Sequence, residues 1–310
     1  MFKLFSNFLK IFPESIRHSV LRLYFRVPTL SFDARFKIEV AKTQQDVLAA
    51  LSLVYESYVE VGLINADEAR LKCSFFSLLP HTTIVVAKFE NKVVGTLSLI
   101  QDSILNGLPS DSLFIEENCL LRSTNERLVE VSSFAIASSF RKQKNAVSLL
   151  LMKFLMFWSI HKLHATTLVF SVHPRVVDFY MGLMGFKVCS EVKLKNDLNG
   201  APAIHLSSQL SYDRILQLQK GYFSQLVEKN LFAFFLMKDD RFDFSVLNSK
   251  MDSLIKIKLQ VLKGIITSHG SIISNWPLLD RNKIIKNYSE LASIMHNAQN
   301  GTVNNCSNAA

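Results

Sequence analysis

The chain has 310 residues and is 49% hydrophobic with only 10 Gly and 7 Pro, which excludes a disordered protein and allows a full apolar core. Its formal net charge of +9 sits in the flanks: residues 1–30 carry five basic residues against Glu14, residues 213–310 carry 12 basic against 8 acidic, and the middle is nearly neutral. Basic flanks suit an acidic protein or lipid partner, while the lack of a recognition helix or of aromatics set among basic residues argues against nucleic acid.

Residues 1–27 place Phe2, Phe5, Phe8, Leu9 and Phe12 at helical spacing, then Ile16, Val20, Leu21, Leu23 and Tyr24 beyond Pro13. This predicts a basic amphipathic helix pair broken at Pro13, which either docks on a membrane surface or carrier protein or packs on the domain. Lys3 and Lys10 interrupt the apolar run, so it lacks the core of a signal peptide. Phe36–Ala41 alternates and reads as a strand. Thr43 to Asp46 resembles a capping box, Val47 to Val61 has helical spacing, and Gly62 suits the stop. The polar stretch to Pro80 is long enough to cover a substrate. Thr82–Lys88 and Lys92–Gln101 predict a hairpin, Asp102–Asp111 a turn-rich loop, and Leu113 to Leu121 a short helix.

Leu128–Ala137 predicts the next strand, Ser138–Asn145 a basic loop, and Ala146–Leu163 a helix apolar almost all round and so buried on more than one side. That helix holds the most apolar window, which is too short to span a bilayer. A strand follows at Thr166–Val172, a helix opened by His173-Pro174-Arg175, and strands at Lys187–Leu194 and Pro202–Gln209. From Tyr212 the pattern turns helical, with a later helix around Leu254 to Ile265 and a disordered tail at 298–310. The order predicts an α/β (α+β) fold, a mixed sheet with helices on both faces, and a right-handed strand–helix–strand crossover over 128–172. The domain plan is a helical extension over 1–30, the sheet domain over 31–212 and a helical extension over 213–297. Cys73, Cys119, Cys189 and Cys306 share no metal-ligand spacing, so no metal is expected and reduced thiols of a cytoplasmic protein are.

Glu130 lies in a strand between Val129 and Val131. It could take a proton from an attacking amine, or simply pair with a cation on the sheet surface. Arg141, Lys142 and Lys144 lead into a helix whose free N–H groups attract phosphate. Arg175 could meet a phosphate and Tyr180 could protonate a leaving thiolate, while His173-Pro174 also reads as a plain turn.

Together these segments resemble the GNAT acyltransferase superfamily, and within it the FeeM-type N-acyl amino acid synthases related to LuxI-type acyl-homoserine-lactone synthases. The matching pieces are Tyr55-x-x-Tyr58-x-x-x-Gly62, Thr83–Lys88 with Val94–Leu99, Asp102-Ser103 with Gly107–Asp111, Glu130–Ala135, Phe140-Arg141, His173-Pro174-Arg175 with Phe179-Tyr180 and Leu183-x-Gly185-Phe186, and Asn199–Pro202.

The resemblance implies that the mixed sheet is mostly antiparallel. It implies a bacterial, cytoplasmic N-acyltransferase of lipid chemistry, peripheral to the inner membrane if residues 1–27 touch it. It would bind no cofactor of its own. Its co-substrate would be an acyl thioester on the 4'-phosphopantetheine of acyl-carrier protein, or acyl-CoA, and its acceptor the α-amine of an amino acid. Catalysis falls to Glu130 and Tyr180. Thioester and phosphopantetheine binding fall to Phe134, Ile136, Arg141, Asn145, Ala146, His173 and Arg175, with strand N–H groups near Phe134–Ile136 holding the oxyanion. Acceptor binding falls to Tyr58, Asp102 and Ser103. Lys144 stands where the superfamily has the first Gly of its loop, which favours a carrier-borne single phosphate over coenzyme A and also fits a silent binding module. Ser133 stands where the lactone synthases have Arg, which counts against the alternative of an autoinducer synthase.

Overall fold

The computed structural model describes residues 11–24, 35–141, 146–211, 213, 235, 242, 251–268, 272–273 and 276–291. In chain order these form α1 (Glu14–Tyr24), β1 (Phe36–Val40), α2 (Gln44–Glu60), β2 (Thr82–Phe89), β3 (Lys92–Gln101), α3 (Asp111–Ser123), β4 (Leu128–Ile136), α4 (Ala146–His161), β5 (Thr167–Val172), α5 (Val177–Met184), β6 (Lys187–Val188), β7 (Lys193–Lys195), β8 (Ala201–Gln209), α6 (Met251–Ser268) and α7 (Leu278–Asn287). Eight strands make one open sheet in the order β1-β2-β3-β4-β5-β8-β6, with β7 on β8. The pairs β1–β2, β2–β3, β5–β8, β6–β8 and β7–β8 are antiparallel, and β4–β5 is parallel. The sheet is mixed, as the order of elements predicts, and mostly antiparallel, as the family resemblance implies.

Local chemistry explains most boundaries. Thr43 Oγ1 accepts the Asp46 N–H at 3.0 Å and starts α2. The β2–β3 turn needs left-handed backbone at both central residues, and Glu90 (φ 49°) and Asn91 (φ 66°) supply it. The single strand expected at Lys187–Leu194 is instead two. β6 pairs with β8 at Ser207 and Leu206, and β7 pairs with it at Ala201–Ala203. Between them Ser190 turns its hydroxyl to the His205 N–H at 2.9 Å, which takes the place of a ladder bond.

The chain divides into two compact units: Met1–Asp33 with Ser110–Ser132 and Met152–Asp240, and Ala34–Pro109 with Ser133–Leu151 and Arg241–Ala310. In the first, α1 lies on α5. Arg17 grips Asp178 with Nε at 3.1 Å and Nη2 at 2.9 Å, and His18 is buried against Gly182. The described part of the N-terminal segment therefore packs on the domain. Residues Met152, Phe154, Leu155, Met156 and Trp158 of α4 are buried, as are Leu168, Val169 and Leu206 of β5 and β8.

In the second unit the apolar faces of α2, β2 and the turn Phe75–Leu78 share one core with Val261, Leu262, Ile265, Trp276, Ile284 and Tyr288. The stretch before Pro80, expected to cover substrate, is pinned into this core. Trp276 Nε1 donates to the Cys73 carbonyl at 3.2 Å and the Tyr288 hydroxyl to the Leu78 carbonyl at 2.6 Å. Lys258 is buried, and its ammonium donates to the carbonyls of Leu79 (2.7 Å), Pro80 (3.2 Å) and Thr82. The first half of α4 approaches β3 at Gly95, where a Cβ would stand 2.8 Å from Val147 Cγ1.

Residues 1–10 of the expected helix pair, the loop 142–145, most of the helical run from Tyr212 to 250 and the tail 298–310 lie outside the described residues. No described helix is long and apolar enough to cross a membrane. Among the described residues no cluster of three or more His, Cys, Asp or Glu could hold a metal ion.

Candidate active site

The β4–β5 ladder runs Leu128–Thr167, Val129–Leu168 and Glu130–Val169, so Glu130 is the last residue of β4 in register with β5. Its side chain is 2% exposed. Its Oε2 accepts the Ser110 backbone N–H at 2.9 Å, and the Ser110 hydroxyl bonds it as well. Burial pushes the Glu130 carboxyl up to about 7, with Asp111 adding to the rise and the Ser110 bonds and Lys195 opposing it. At neutral pH this group can both take and release a proton, as a general base must.

Behind Glu130 lies a buried polar run. Asn118 Nδ2 donates to Ser110 Oγ at 2.8 Å, its Oδ1 lies 3.0 Å from His205 Nε2, and His205 Nδ1 lies 3.2 Å from Ser171 Oγ. Ser110, Asn118 and His205 are each 1% exposed or less. Phe114 stacks on the His205 ring at 5.0 Å and 15°. Sequence reasoning missed these partners. The available signal was Asn118, a polar residue four places after Phe114 on the apolar stripe of a helix.

Past Glu130, β4 turns at Ser133, whose φ of 53° is left-handed and costly for a side chain. Phe134 is half-buried, and Ala135 and Ile136 are buried. Tyr58 packs with Leu53, Val54 and Ala135, which brings one acceptor-side candidate together with the far half of β4. Arg141 is heavily engaged. Its Nε donates to the Ile136 carbonyl at 2.8 Å, and its Nη2 to Ser57 Oγ at 3.2 Å and to Glu60 at 2.9 Å. A phosphate would compete with Glu60 for this guanidinium. Asn145 lies outside the described residues, and Ala146 opens α4.

His173 caps the turn Pro174–Val176, its Nδ1 accepting the Arg175 N–H at 3.1 Å, and Arg175 is exposed. Tyr180 sits on α5 with its ring edge-on to Phe170 at 4.5 Å, and burial pushes its hydroxyl up to about 12. Ser103 organises its loop: its Oγ accepts from Asn106 N at 3.2 Å and Nδ2 at 3.3 Å. That loop is tied to α7, with Lys283 Nζ donating to the Asn106 carbonyl at 3.2 Å and Asn287 Nδ2 to its Oδ1 at 3.1 Å. Asp102 is half-buried, and its charge acts on His81.

The sequence model of the family described as N-acyl amino acid synthase FeeM matches residues 49–209, just over half of the chain. The chain belongs to the FeeM family. The solved structure of FeeM, an N-acyl amino acid synthase from uncultured soil microbes, is similar at 24% identity, over 66% of this chain and 99% of that one, with a TM-score of 0.51. BjaI, a CoA-dependent acyl-homoserine lactone synthase solved with SAM and isopentyl-CoA, shares 13% identity over 60% of this chain and 88% of its own, with a TM-score of 0.44. A GNAT-family acetyltransferase from Streptococcus pneumoniae shares 12% over 57% of this chain and 99% of its own, with a TM-score of 0.41. No curated protein matches. As a FeeM-family protein, the chain is an N-acyltransferase. The family match ends in β8, so α6 and α7, which pin the 75–82 stretch and the Asn106 loop, lie beyond it.

Proposed function

We propose that this enzyme joins a long-chain acyl group, carried as a thioester on the 4'-phosphopantetheine of acyl-carrier protein, to the α-amine of an amino acid. The observation that carries the reading is Glu130: a buried carboxyl on β4 of a FeeM-family fold, poised near neutrality and held by Ser110. The amine lone pair attacks the thioester carbonyl carbon. The C–N bond forms, and the carbonyl oxygen becomes an oxyanion received by backbone N–H groups of Phe134–Ile136. Glu130 accepts the amine proton, directly or through one water. Collapse breaks the C–S bond and releases the pantetheine thiolate.

The proton balance assigns different roles to the two titratable groups. A Tyr180 hydroxyl pushed up to about 12 is a far weaker acid than an ordinary thiol near 8.5, so full proton transfer from it to the thiolate is uphill. It serves instead as a hydrogen-bond donor to the leaving sulfur. Protonated Glu130, near 7, is a stronger acid than the thiol, so proton return to the sulfur is downhill from it. On the donor side, Lys142 and Lys144 precede the start of α4, which supports a single phosphate at that helix end. Tyr58, Asp102 and Ser103 are the acceptor-side candidates.

The test offers the full chain equal concentrations of one acyl group as its carrier-protein thioester and as its coenzyme A thioester, with a mixture of amino acids. Mass spectrometry of the products should show N-acyl amino acids formed faster from the carrier thioester. Preference for coenzyme A overturns the donor assignment. Acyl-homoserine lactone formed with S-adenosylmethionine, and no amide without it, overturns the acceptor assignment.

A further inference from the structure

Glu130 is the end point of a hydrogen-bond chain whose donors can be assigned from its own geometry. Asn118 Nδ2 donates to Ser110 Oγ and to Asp111 Oδ1, each at 2.8 Å, which orients the amide and leaves Oδ1 facing His205 Nε2 at 3.0 Å. An amide oxygen only accepts, so Nε2 carries the hydrogen. Burial lowers the His205 imidazole to about 4, so the ring is neutral, and Nδ1 accepts from the Ser171 hydroxyl at 3.2 Å. Ser110 Oγ, having accepted from Asn118, turns its own hydrogen to Glu130, where the Ser110 N–H already points. From Ser171 onward each group therefore has one donor pointing along the chain toward the Glu130 carboxylate, and the second Asn118 N–H goes to Asp111. Bonds aligned head to tail polarise one another, and a carboxylate at the accepting end is favoured over the acid.

We propose that Asn118 and His205 are positioning residues which, acting through Ser110, hold the Glu130 carboxylate ionised and in one fixed orientation for proton acceptance. The proposal rests on the reading of Glu130 as the base. Other charges face this chain: Asp111 and Lys195 act on Glu130, and Glu117, Lys193, Lys195 and Asp111 act on His205. All of these remain in place in the variants used below, so a change can be ascribed to the chain itself.

The experiment titrates Glu130 in the full chain by carboxyl carbon-13 NMR, with Glu130→Gln assigning the resonance, alongside amide-forming kinetics from the acyl thioester. His205→Phe keeps an aromatic ring against Phe114 and removes the donor. The midpoint of Glu130 should rise by about half a unit or more, and kcat should fall roughly threefold to tenfold with KM for the thioester unchanged. His205→Gln, which again offers one N–H donor and one acceptor, should return both toward the wild-type values. An unmoved midpoint in folded His205→Phe overturns the proposal, because a purely structural role changes thermal stability and not the titration. Should His205→Phe fail to fold, Ser171→Ala removes only the outermost donor at a half-buried position; a smaller rise is expected, and none overturns the proposal. A shifted midpoint together with wild-type activity in Glu130→Gln would instead sink the reading of Glu130 as base while leaving the chain in place.

Discussion

Replacing Gly95 with Ala should destabilise the fold by about 1–2 kcal/mol, net of two opposed effects. The added Cβ would stand 2.8 Å from Val147 Cγ1, 3.0 Å from Leu151 Cδ1 and 3.4 Å from Ala87 Cβ. Carbon atoms pack best at about 3.5–4.0 Å, so α4 must retreat or its side chains must move. Val147 cannot turn away, since a helical valine keeps one rotamer roughly nine times in ten. Overpacking of this kind costs about 1–3 kcal/mol. Against it, Ala restricts the unfolded chain and returns about 0.4–1 kcal/mol. Urea unfolding of the wild type, Gly95→Ala, Val147→Ala and the double variant closes a cycle. Because Val147→Ala removes the atom in the closest contact, the double variant should be about 1 kcal/mol or more less destabilised than the sum of the singles. A neutral Gly95→Ala, or strict additivity, would refute the close approach of α4 to β3.

Three further outcomes follow from the same structure. His18 and then Arg17 hold the Asp178 carboxyl down at about 2, below its unfolded value of 3.8, so the stability it contributes is present above about pH 4 and lost as pH falls toward 2. Acid titration of unfolding should show about 1–2 kcal/mol of this loss, after allowance for partial exposure, and Asp178→Asn should remove it. Lys258→Met keeps the aliphatic stem but leaves the carbonyls of Leu79, Pro80 and Thr82 without their shared donor. Relief of the buried charge offsets part of that, for a net cost of about 2 kcal/mol by denaturant unfolding; an unchanged midpoint would mean that the cage contributes nothing. Tyr180→Phe preserves the ring contact with Phe170, so thermal stability should hold while kcat falls about tenfold if the hydroxyl donates to the leaving sulfur. Its pH–rate profile should not move, since a hydroxyl at about 12 does not titrate in the working range.

Periodicity made much of the fold legible. The hairpin, the strand holding Glu130 and the all-round apolar α4 stand where the alternation and the helical spacing place them, because burial on one face, or on all, dictates which residues are apolar. Two features were not legible. A period of two continues through Lys187–Leu194 even though Ser190 interrupts the ladder there, since a side-chain bond in place of a backbone bond leaves no mark on hydropathy. The stretch before Pro80 reads as a cover from its polar half, Asn65–Lys72, yet Cys73–Leu79 is mostly apolar and its carbonyls are fixed by Lys258, Trp276 and Tyr288, 179 to 210 residues away. The site divides the same way. Glu130 could be singled out between two valines and matched to a family pattern. Its support could not, because Asn118 and His205 lie 87 residues apart and meet only when β8 pairs with β5.

The most direct test of the account compares wild-type and Glu130→Gln enzymes for amide formation from acyl-carrier thioester and amino acid across pH 5–9. The expected outcome is an N-acyl amino acid product, a wild-type rate that falls below an apparent pKa near 7, and a Glu130→Gln rate at least about tenfold lower that lacks this limb. Equal rates and identical profiles for the two enzymes would contradict it.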